Sequence, residues 1–323
     1  MRKKTIRRAV FILLHSIGFL LLYFVVRKLD FRMTAEYFAL FKTWKIAAGL
    51  VILFLVYMIK SYRWLLINRA FGVNGRYTTF LAFFLFTGFL GTITPGRLGE
   101  FAKIWLIRNR YKSSITVSTS SVLLDRIWDV LILSMVGGIS MMLIISRFVI
   151  NWYTIAIIGL IFIIAFGIIF FPGILFRPAL ALAGKKPIRE ELQQIYETWS
   201  QNRMRLMIPG FCTSLLAFGM LAVIPLMFSA DINAMINYGT SVTAVSISNI
   251  LAFIPVSIAG FGTREFVFTR VWSLHSHPAE IAIAISTIYF IITYLGSMLL
   301  GGIAYMTSIR KFYSFREIRK RAH

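Results

Sequence analysis

Long apolar blocks separated by short basic segments run along almost the whole chain. Several of them reach or approach the ~20 residues that a helix needs to cross about 30 Å of hydrocarbon. These blocks lie near residues 9–26, 45–67, 115–145, 152–171, 206–228 and 279–307. The pattern predicts an all-α polytopic membrane protein with about six full transmembrane helices, in which residues 1–323 form a single integral membrane domain.

Two further apolar blocks, 78–110 and 241–276, are interrupted near their middles by proline and glycine. The first break contains Thr94–Glu100, and the second contains Pro255–Glu265. Proline removes a helical donor and glycine permits sharp turns, so each block is predicted to form a helix–turn–helix hairpin rather than a straight span.

The basic segments predict the orientation. Lys and Arg residues at 2–8 and at 310–321 indicate that both termini are cytoplasmic, and those at 172–205 indicate a further cytoplasmic loop. The stretch 229–240 carries Asp231 without Lys or Arg and is predicted to lie outside. With six helices crossing the membrane fully, the two interrupted blocks become re-entrant hairpins that enter from opposite faces. In the alternative, each hairpin crosses the membrane, and the chain has eight transmembrane spans.

Paired interruptions in two halves of a chain are typical of inverted-repeat transporters, whose binding sites lie at the membrane midplane. The halves predicted here are about 1–150 and 151–323.

Composition agrees with a membrane protein and limits the other classes. The chain is 58% hydrophobic and carries a net charge of +23, whereas soluble domains are roughly 45–50% apolar. Its basic residues lie at the termini and between apolar blocks, which indicates contact with anionic lipid rather than nucleic acid. Cys212 is the single cysteine, which excludes an intrachain disulfide.

Four acidic residues lie inside apolar blocks, where an isolated charge costs at least ~2.5–3.5 kcal/mol and normally faces a partner or a wet cavity. They are Glu100, Asp125, Asp129 and Glu265, and Arg97, Arg126 and Arg264 lie beside them. Asp125 and Asp129 are four residues apart and share a helix face. The Asp125–Arg126–Asp129 group either supports a cavity or forms neutralised ion pairs that hold helices in register.

The two breaks together predict an anion-binding site. A second helix is expected to begin after Gly96 and after Gly262, which directs two helix N-termini and their N–H groups at the midplane. Adding Arg97 and Arg264 gives a site suited to phosphate. Glu100 and Glu265 either orient the arginines or titrate during transport. The predicted substrate-binding residues are Gly96, Arg97, Glu100, Asn249, Gly262, Arg264 and Glu265.

Catalytic and metal-binding signatures are not found. The sequence has no GxSxG, HExxH or Walker A motif, so no catalytic residue, metal site or cofactor is predicted. His275 and His277, beside Pro278, are read as loop residues rather than metal ligands. Enzyme chemistry would need a carboxylate at a membrane face, for which Asp30 and Asp231 are the loop candidates.

The breaks also carry a family resemblance. Thr94–Glu100 followed by Leu124–Asp129 is similar to the paired signatures of the lysylphosphatidylglycerol synthase transmembrane-region family, also called flippase-like. Arg63-Trp64 and Gly260–Glu265 resemble further signatures in the expected order. The resemblance covers roughly residues 5–310, although Ser257-Ile258-Ala259-Gly260 departs from a Pro-Gly-Gly pattern.

This resemblance implies lipid translocation, because in two-domain members this membrane region moves aminoacylated phosphatidylglycerol across the bilayer. Together with the predicted anion-binding site, it gives the expectation of a flippase-like transporter that moves an anionic phospholipid or polyprenyl-phosphate headgroup. It implies the cytoplasmic membrane of a prokaryote, and the soluble aminoacyltransferase domain of two-domain members is not expected here. Two alternatives stay open: a membrane-embedded glycosyl- or phosphotransferase that uses a polyprenyl-phosphate donor, and a non-transporting partner of a lipid synthase. The expected partners are a membrane lipid and either a second copy of the chain or a lipid-synthesis enzyme.

Overall fold

The computed structural model describes residues 31–145, 173–182, 186–234, 236–253 and 262–310, with a few isolated positions between 156 and 167. Every regular element in these ranges is helical. The helices are α1 (Phe31–Ala39), α2 (Thr43–Ala70), α3 (Tyr77–Thr92), α4 (Ala102–Tyr111), α5 (Ile115–Ile145), α6 (Gly173–Leu182), α7 (Lys186–Ser229), α8 (Tyr238–Phe253), α9 (Thr263–Ser273) and α10 (Ala279–Ile309). A 3₁₀ segment, Pro95–Phe101, joins α3 to α4.

Three helices in the described ranges are long and apolar enough to cross a membrane. They are α2, the Leu206–Ile232 stretch and α10, which spans 31 residues. They coincide with the predicted spans at 45–67, 206–228 and 279–307, and the predicted span at 115–145 forms the single helix α5. The predicted spans at 9–26 and 152–171 lie outside the described residues, apart from isolated positions in the second.

The segment predicted as the 172–205 loop is helical instead. It forms α6 and the first half of α7, a helix of 44 residues. Ile195 and Trp199 are four residues apart and both buried, so one face of this polar stretch is apolar. Gln193 donates a hydrogen bond to Glu197 Oε1 at 3.2 Å along the same helix. Among the described side chains, Arg177 and Arg189 are exposed on these helices, so this part of the segment is helical rather than an irregular connection.

Helix α2 is central to the packing. It contacts α3, α5, α7 and α10. One apolar core joins α2 to α5 and to the helices from α7 to α10, and a second joins α2, α3 and α4 to the end of α10. The 3₁₀ segment after α3 also contacts α8. Since α8 precedes the second break, the two interrupted blocks meet inside the molecule.

Whether α3–α4 and α8–α9 enter and leave the same membrane face, or each cross it, stays a prediction. Helix α3 is apolar but has only 16 residues, and α9 has only 11. Both are shorter than a full span requires. The division into inverted halves likewise stays a prediction.

Candidate functional site

The first break is a sharp turn followed by a 3₁₀ helix. Thr94 is extended, whereas Gly96 and Arg97 have positive φ values of 59° and 57°. Thr94 holds the turn, since its Oγ1 accepts the N–H of Gly99 at 2.7 Å and donates to the carbonyl of Leu90 at 2.8 Å. A second helix was predicted to begin after Gly96, and a helix of the 3₁₀ type does cover this break; α-helical geometry follows only from Ala102.

Two glycines let this turn lie directly against α3. A Cβ atom at Gly99 would lie 2.2 Å from the carbonyl oxygen of Leu90, and one at Gly91 would lie 2.7 Å from Cγ of Glu100. Such contacts are too short for any other residue without a shift of the backbone or of Glu100. The close approach therefore fixes the Glu100 side chain against α3, where it is 7% exposed.

The second break ends as predicted, because α9 begins immediately after Gly262, whose φ is 87°. The Gly262 N–H donates to Oε2 of Glu265 at 2.7 Å, which satisfies a donor at the helix start. Arg264 donates from Nε to Oγ of Ser286 at 3.0 Å, and from Nη2 to Oε1 of Glu265. The turn at 254–261 lies outside the described residues.

Arg63 of α2 organises the carboxylates of α5. Its Nε and Nη2 donate to Oδ1 of Asp125 at 2.9 and 2.5 Å, and Nη2 also reaches Oδ1 of Asp129 at 2.9 Å. Nη2 donates to the Asp125 carbonyl at 3.0 Å, and Nη1 donates to Oγ of Ser214. Lys60, one turn earlier on α2, lies 3.3 Å from Asp129. The Asp125–Arg126–Asp129 group is therefore tied to α2 and α7.

Arg126 connects this group to the first break. Its Nη1 lies 2.8 Å from Oε2 of Glu100, whereas its Nη2 lies 3.2 Å from Asp125 and 3.4 Å from Asp129. The buried Lys103 lies 3.3 Å from Asp125 and 3.7 Å from Glu100. Arg97, the predicted partner of Glu100, is more distant at 3.9 Å.

The network carries more positive than negative charge. Its five cations are Lys60, Arg63, Arg97, Lys103 and Arg126, and its three carboxylates are Glu100, Asp125 and Asp129. Counted at formal charge, the described part of this network thus carries two more positive than negative charges, and the Arg264–Glu265 pair leaves that balance unchanged. Since these groups are mostly buried, the excess attracts an anion far more strongly than it would at a solvated surface.

A cavity brings the two breaks together. Its lining includes Lys60 of α2, Arg97 and Glu100 of the first break, Arg126 of α5 and Arg264 of the second break. The cavity volume is about 70 Å³, several times the cavity volume that one water molecule requires. Asn249 also lines the cavity, and its Nδ2 donates to the Val245 carbonyl at 2.8 Å and to the Tyr289 hydroxyl at 3.4 Å.

Tyr294 contacts both of the arginines that come from the two breaks. Its ring centroid is 5.8 Å from Cζ of Arg97 and 6.0 Å from Cζ of Arg264, and Arg264 also stacks at 4.4 Å on Phe290. Tyr294 belongs to a π-helical turn of α10, Ile291–Leu295. Such single π turns are frequent at functional sites, and this one places an aromatic ring within 6.0 Å of both guanidinium groups.

The sequence of residues 9–301 matches the pattern of the family described as the lysylphosphatidylglycerol synthase TM region. The chain belongs to this family. It is also 24% identical over 226 residues to the UPF0104 membrane protein MJ1078 of Methanocaldococcus jannaschii, an alignment that covers 67% of this chain and 93% of that protein. The resemblance of the motifs around Thr94–Glu100 and Leu124–Asp129 is thereby confirmed, and the chain is a multi-pass membrane protein.

In this member of the lysylphosphatidylglycerol synthase TM region family, some of the predicted site residues lie together and others lie apart. Arg97, Glu100, Asn249, Arg126 and Arg264 line the cavity. The remaining predicted residues are not among the described residues that line it. Gly96 and Gly262 shape the turns, Glu265 pairs with Arg264, and Asp125 and Asp129 pair with Arg63.

The sequence analysis did not predict three cationic residues of the site, namely Lys60, Arg63 and Lys103. Each lies inside an apolar block, and Lys60 and Arg63 are one helical turn apart. The signal was therefore available, since an intramembrane cation requires a partner as much as an intramembrane carboxylate does. Arg63 had been noted only as part of a family signature.

The loop residues considered for other chemistry have structural contacts. Asp231 binds Lys45 through Oδ1 at 2.7 Å and accepts the backbone N–H of Lys42 at 3.2 Å. His275 Nε2 lies 2.7 Å from Oγ1 of Thr240. Across the described ranges, His, Cys, Asp and Glu residues form no group of three that is suited to a metal ion. Asp30 lies outside the described residues.

Proposed function

We propose that the protein is a flippase-like transporter that moves an anionic lipid across the bilayer. The headgroup binds in the cavity between the two breaks while the acyl or isoprenoid chains stay in the membrane. The observation that carries the proposal is that Arg97 and Arg264, from two separate interrupted blocks, line one cavity with an excess of positive charge.

The chemistry of the cavity favours a phosphate group. Guanidinium groups present planar, always-charged donors that match phosphate oxygens, and in a buried site such charge-assisted bonds are roughly twice as strong as neutral ones. Both guanidinium groups lie within 6.0 Å of the Tyr294 ring centroid, and this shared aromatic contact helps to hold them in place. Two preorganised guanidiniums can then engage one phosphate group without the entropy cost of ordering them first.

Apolar side chains next to the cavity residues suit the lipid chains. Leu98, which follows Arg97, is 62% exposed, and Leu295, which follows Tyr294, is 50% exposed. Ile93, just before the first break, is also exposed. The residues that follow Arg97 and Tyr294 in the sequence therefore present apolar surface to the outside of the molecule, which suits contact with lipid chains.

We also propose that the protein lies in the cytoplasmic membrane of a prokaryote with both termini cytoplasmic. The basic residues at both ends of the chain support this orientation by the positive-inside rule. Reporter fusions at each terminus that indicate a periplasmic or extracellular location would contradict it.

The test compares purified wild-type protein with the Arg97→Ala/Arg264→Ala variant. Bound lipids are identified by native mass spectrometry, and the movement of labelled phosphatidylglycerol is followed in proteoliposomes. Wild-type protein should retain and move an anionic lipid, whereas the variant should do neither. The matched control is Arg108→Ala/Arg270→Ala, which removes two exposed arginines from α4 and α9 and should behave like the wild type.

Two results would reject the proposal. One is equal lipid movement by wild-type protein and the cavity variant at equal folded amounts. The other is the same set of bulk lipids on both proteins, without movement by either. In the second case, co-purification of a lipid-synthesis enzyme would favour a non-transporting partner of a synthase.

A further inference from the structure

Lys60 is the one lysine among the described residues that line the cavity. Its Nζ lies 3.3 Å from Oδ1 of Asp129 and 4.2 Å from the ring centroid of Phe218 on α7, and its side chain is 11% exposed. The other charged or titratable groups in its surroundings are Tyr57 and Arg63 of α2, Arg97 and Glu100 of the first break, and Arg126 of α5. The remaining ones in the described lining are Arg264, Tyr289 and Tyr294. Cations therefore outnumber carboxylates around Lys60.

The carboxylate that Lys60 contacts is shared with two arginines. Asp129 also lies 2.9 Å from Nη2 of Arg63 and 3.4 Å from Nη2 of Arg126. The next carboxylate, Glu100, lies 2.8 Å from Nη1 of the same Arg126. A buried ammonium group needs a counter-charge to compensate for its lost hydration, and here Lys60 has only a share of one carboxylate.

Lys60 is also the cation of the described lining that can exchange a proton. Arginine stays protonated in proteins, whereas the lysine ammonium gains and loses its proton readily in buried sites. Lys103, the second lysine of the network, is 0% exposed, lies 3.3 Å from Asp125 and 3.7 Å from Glu100, and is not among the described residues that line the cavity. A proton can therefore pass between this network and the cavity at Lys60.

Unpartnered donors in the same lining indicate where an anion binds. Nε of Arg126, Nη1 of Arg264 and Oγ of Ser248 are buried and have no hydrogen-bond partner within the described chain. Buried donors in native proteins are normally paired, so these atoms suit the oxygen atoms of an anionic headgroup. The negative charge of that headgroup favours the ammonium form of Lys60, and by reciprocity the ammonium form favours the bound headgroup.

We infer, resting on the proposed function, that Lys60 carries a proton that is bound and transported together with the anionic headgroup. When the headgroup binds, the amine of Lys60 takes one proton from water on the side of entry and becomes an ammonium group. When the headgroup leaves, the ammonium group returns this proton to water on the other side. A headgroup with one negative charge and one proton together carry no net charge, so the pH gradient drives their movement and the membrane potential does not.

The test uses wild-type protein in proteoliposomes with two chain-labelled probes, phosphatidylglycerol and a polyprenyl-phosphate hexose. Both are phosphodiesters that keep one negative charge near neutral pH, so the probes themselves take up no proton. With the membrane potential clamped, a pH difference of one unit should change the distribution of the transported probe between the leaflets about tenfold, because one proton accompanies each lipid. The probe that moves identifies the source of the phosphate, and an imposed potential at equal pH should leave its distribution unchanged.

A lysine-to-arginine variant tests the role of Lys60. Lys60→Arg keeps a cation that does not release its proton, so its lipid movement should lose the response to the pH difference and should respond to the membrane potential instead. The matched control Lys42→Arg makes the same change at an exposed residue just before α2 and should respond to both gradients as the wild type does.

Proton uptake by the purified wild-type protein is a second measurement that needs no variant. In weakly buffered detergent solution with a pH indicator, adding phosphatidylglycerol or the hexose lipid should remove up to one proton from solution for each lipid bound. Binding should also weaken as the pH is raised, because the neutral amine of Lys60 no longer attracts the headgroup.

The outcomes separate this inference from the proposed function. If wild-type transport ignores the pH difference and follows the potential, or if lipid binding takes up no proton from mildly acidic to alkaline buffer, proton coupling is wrong. The transporter assignment still stands in that case, provided that the lipid moves and requires Arg97 and Arg264. If neither probe is moved or retained, the proposed function fails and the inference fails with it.

Discussion

Replacing Arg63 with methionine removes the cation that holds the two carboxylates of α5. Arg63 is 1% exposed, and its guanidinium donates to Asp125, Asp129 and Ser214. Methionine has a similar length and fills the space without restoring a charge. The carboxylates would keep only the longer contacts from Lys60, Lys103 and Arg126, at 3.2–3.4 Å.

The expected loss is large because the carboxylates cannot reach water. Breaking one partner of a buried ion pair typically costs about 3–5 kcal/mol, since it leaves a buried charge without full compensation. The remaining cations place the expected value for Arg63→Met at the lower end, about 3 kcal/mol. Arg63→Lys keeps the charge but loses the bidentate geometry, so its loss should be smaller.

The measurement is the free energy of unfolding of purified protein in mild detergent, from titration with a denaturing detergent followed by tryptophan fluorescence. The control is Arg32→Met, which removes an exposed ion pair to Glu36 and should change stability by less than about 0.5 kcal/mol. A loss below about 1 kcal/mol for Arg63→Met would refute the reasoning, because it would mean that the carboxylates are hydrated or protonated.

Three further changes test separate contacts. Gly91→Ala should displace the Glu100 side chain, since the new Cβ would lie 2.7 Å from its Cγ. We expect this variant to retain less lipid in native mass spectrometry. Unchanged retention would show that the position of Glu100 is unimportant. Lys45→Met removes the ion-pair partner of the buried Asp231 carboxylate and should lower the free energy of unfolding by about 3 kcal/mol. The double variant Lys45→Met/Asp231→Asn should recover part of this stability. Gly301→Ala puts a Cβ 2.7 Å from the backbone of α3 and should lower the free energy of unfolding by about 1–3 kcal/mol through overpacking. The same titration measures this loss. A variant as stable as the wild type would indicate that α3 and α10 separate easily.

The membrane class and the long helices were predictable because apolar length alone decides them. A stretch such as 206–228 has no other stable state than a spanning or deeply buried helix. The helical nature of 172–205 was missed because its charges suggested a loop, although Ile195 and Trp199 mark a buried face. Periodicity, not net polarity, carried the information in that segment.

The candidate site was predictable in its parts but not in its pairing. Intramembrane charge and broken backbone pointed to Arg97, Glu100 and Arg264, which share one cavity. The partner of Glu100 was expected at i−3, whereas the short contact comes from Arg126, from another helix. Sequence spacing fixes neighbours along one helix, but contacts between helices depend on tertiary packing, which spacing does not encode.

Helix α7 gives the cavity a mechanical connection to the region beyond the hydrocarbon. Its 44 residues extend for about 66 Å at 1.5 Å per residue, roughly twice the ~30 Å of hydrocarbon. The apolar part begins near Leu206, and Phe218 and Leu221 further along line the cavity. The preceding polar stretch, 186–205, thus continues the same helix that contributes Phe218 and Leu221 to the cavity. Pro209 removes one backbone hydrogen bond near the point where the polar and apolar parts join, so this is the position at which a bend would change the angle between them.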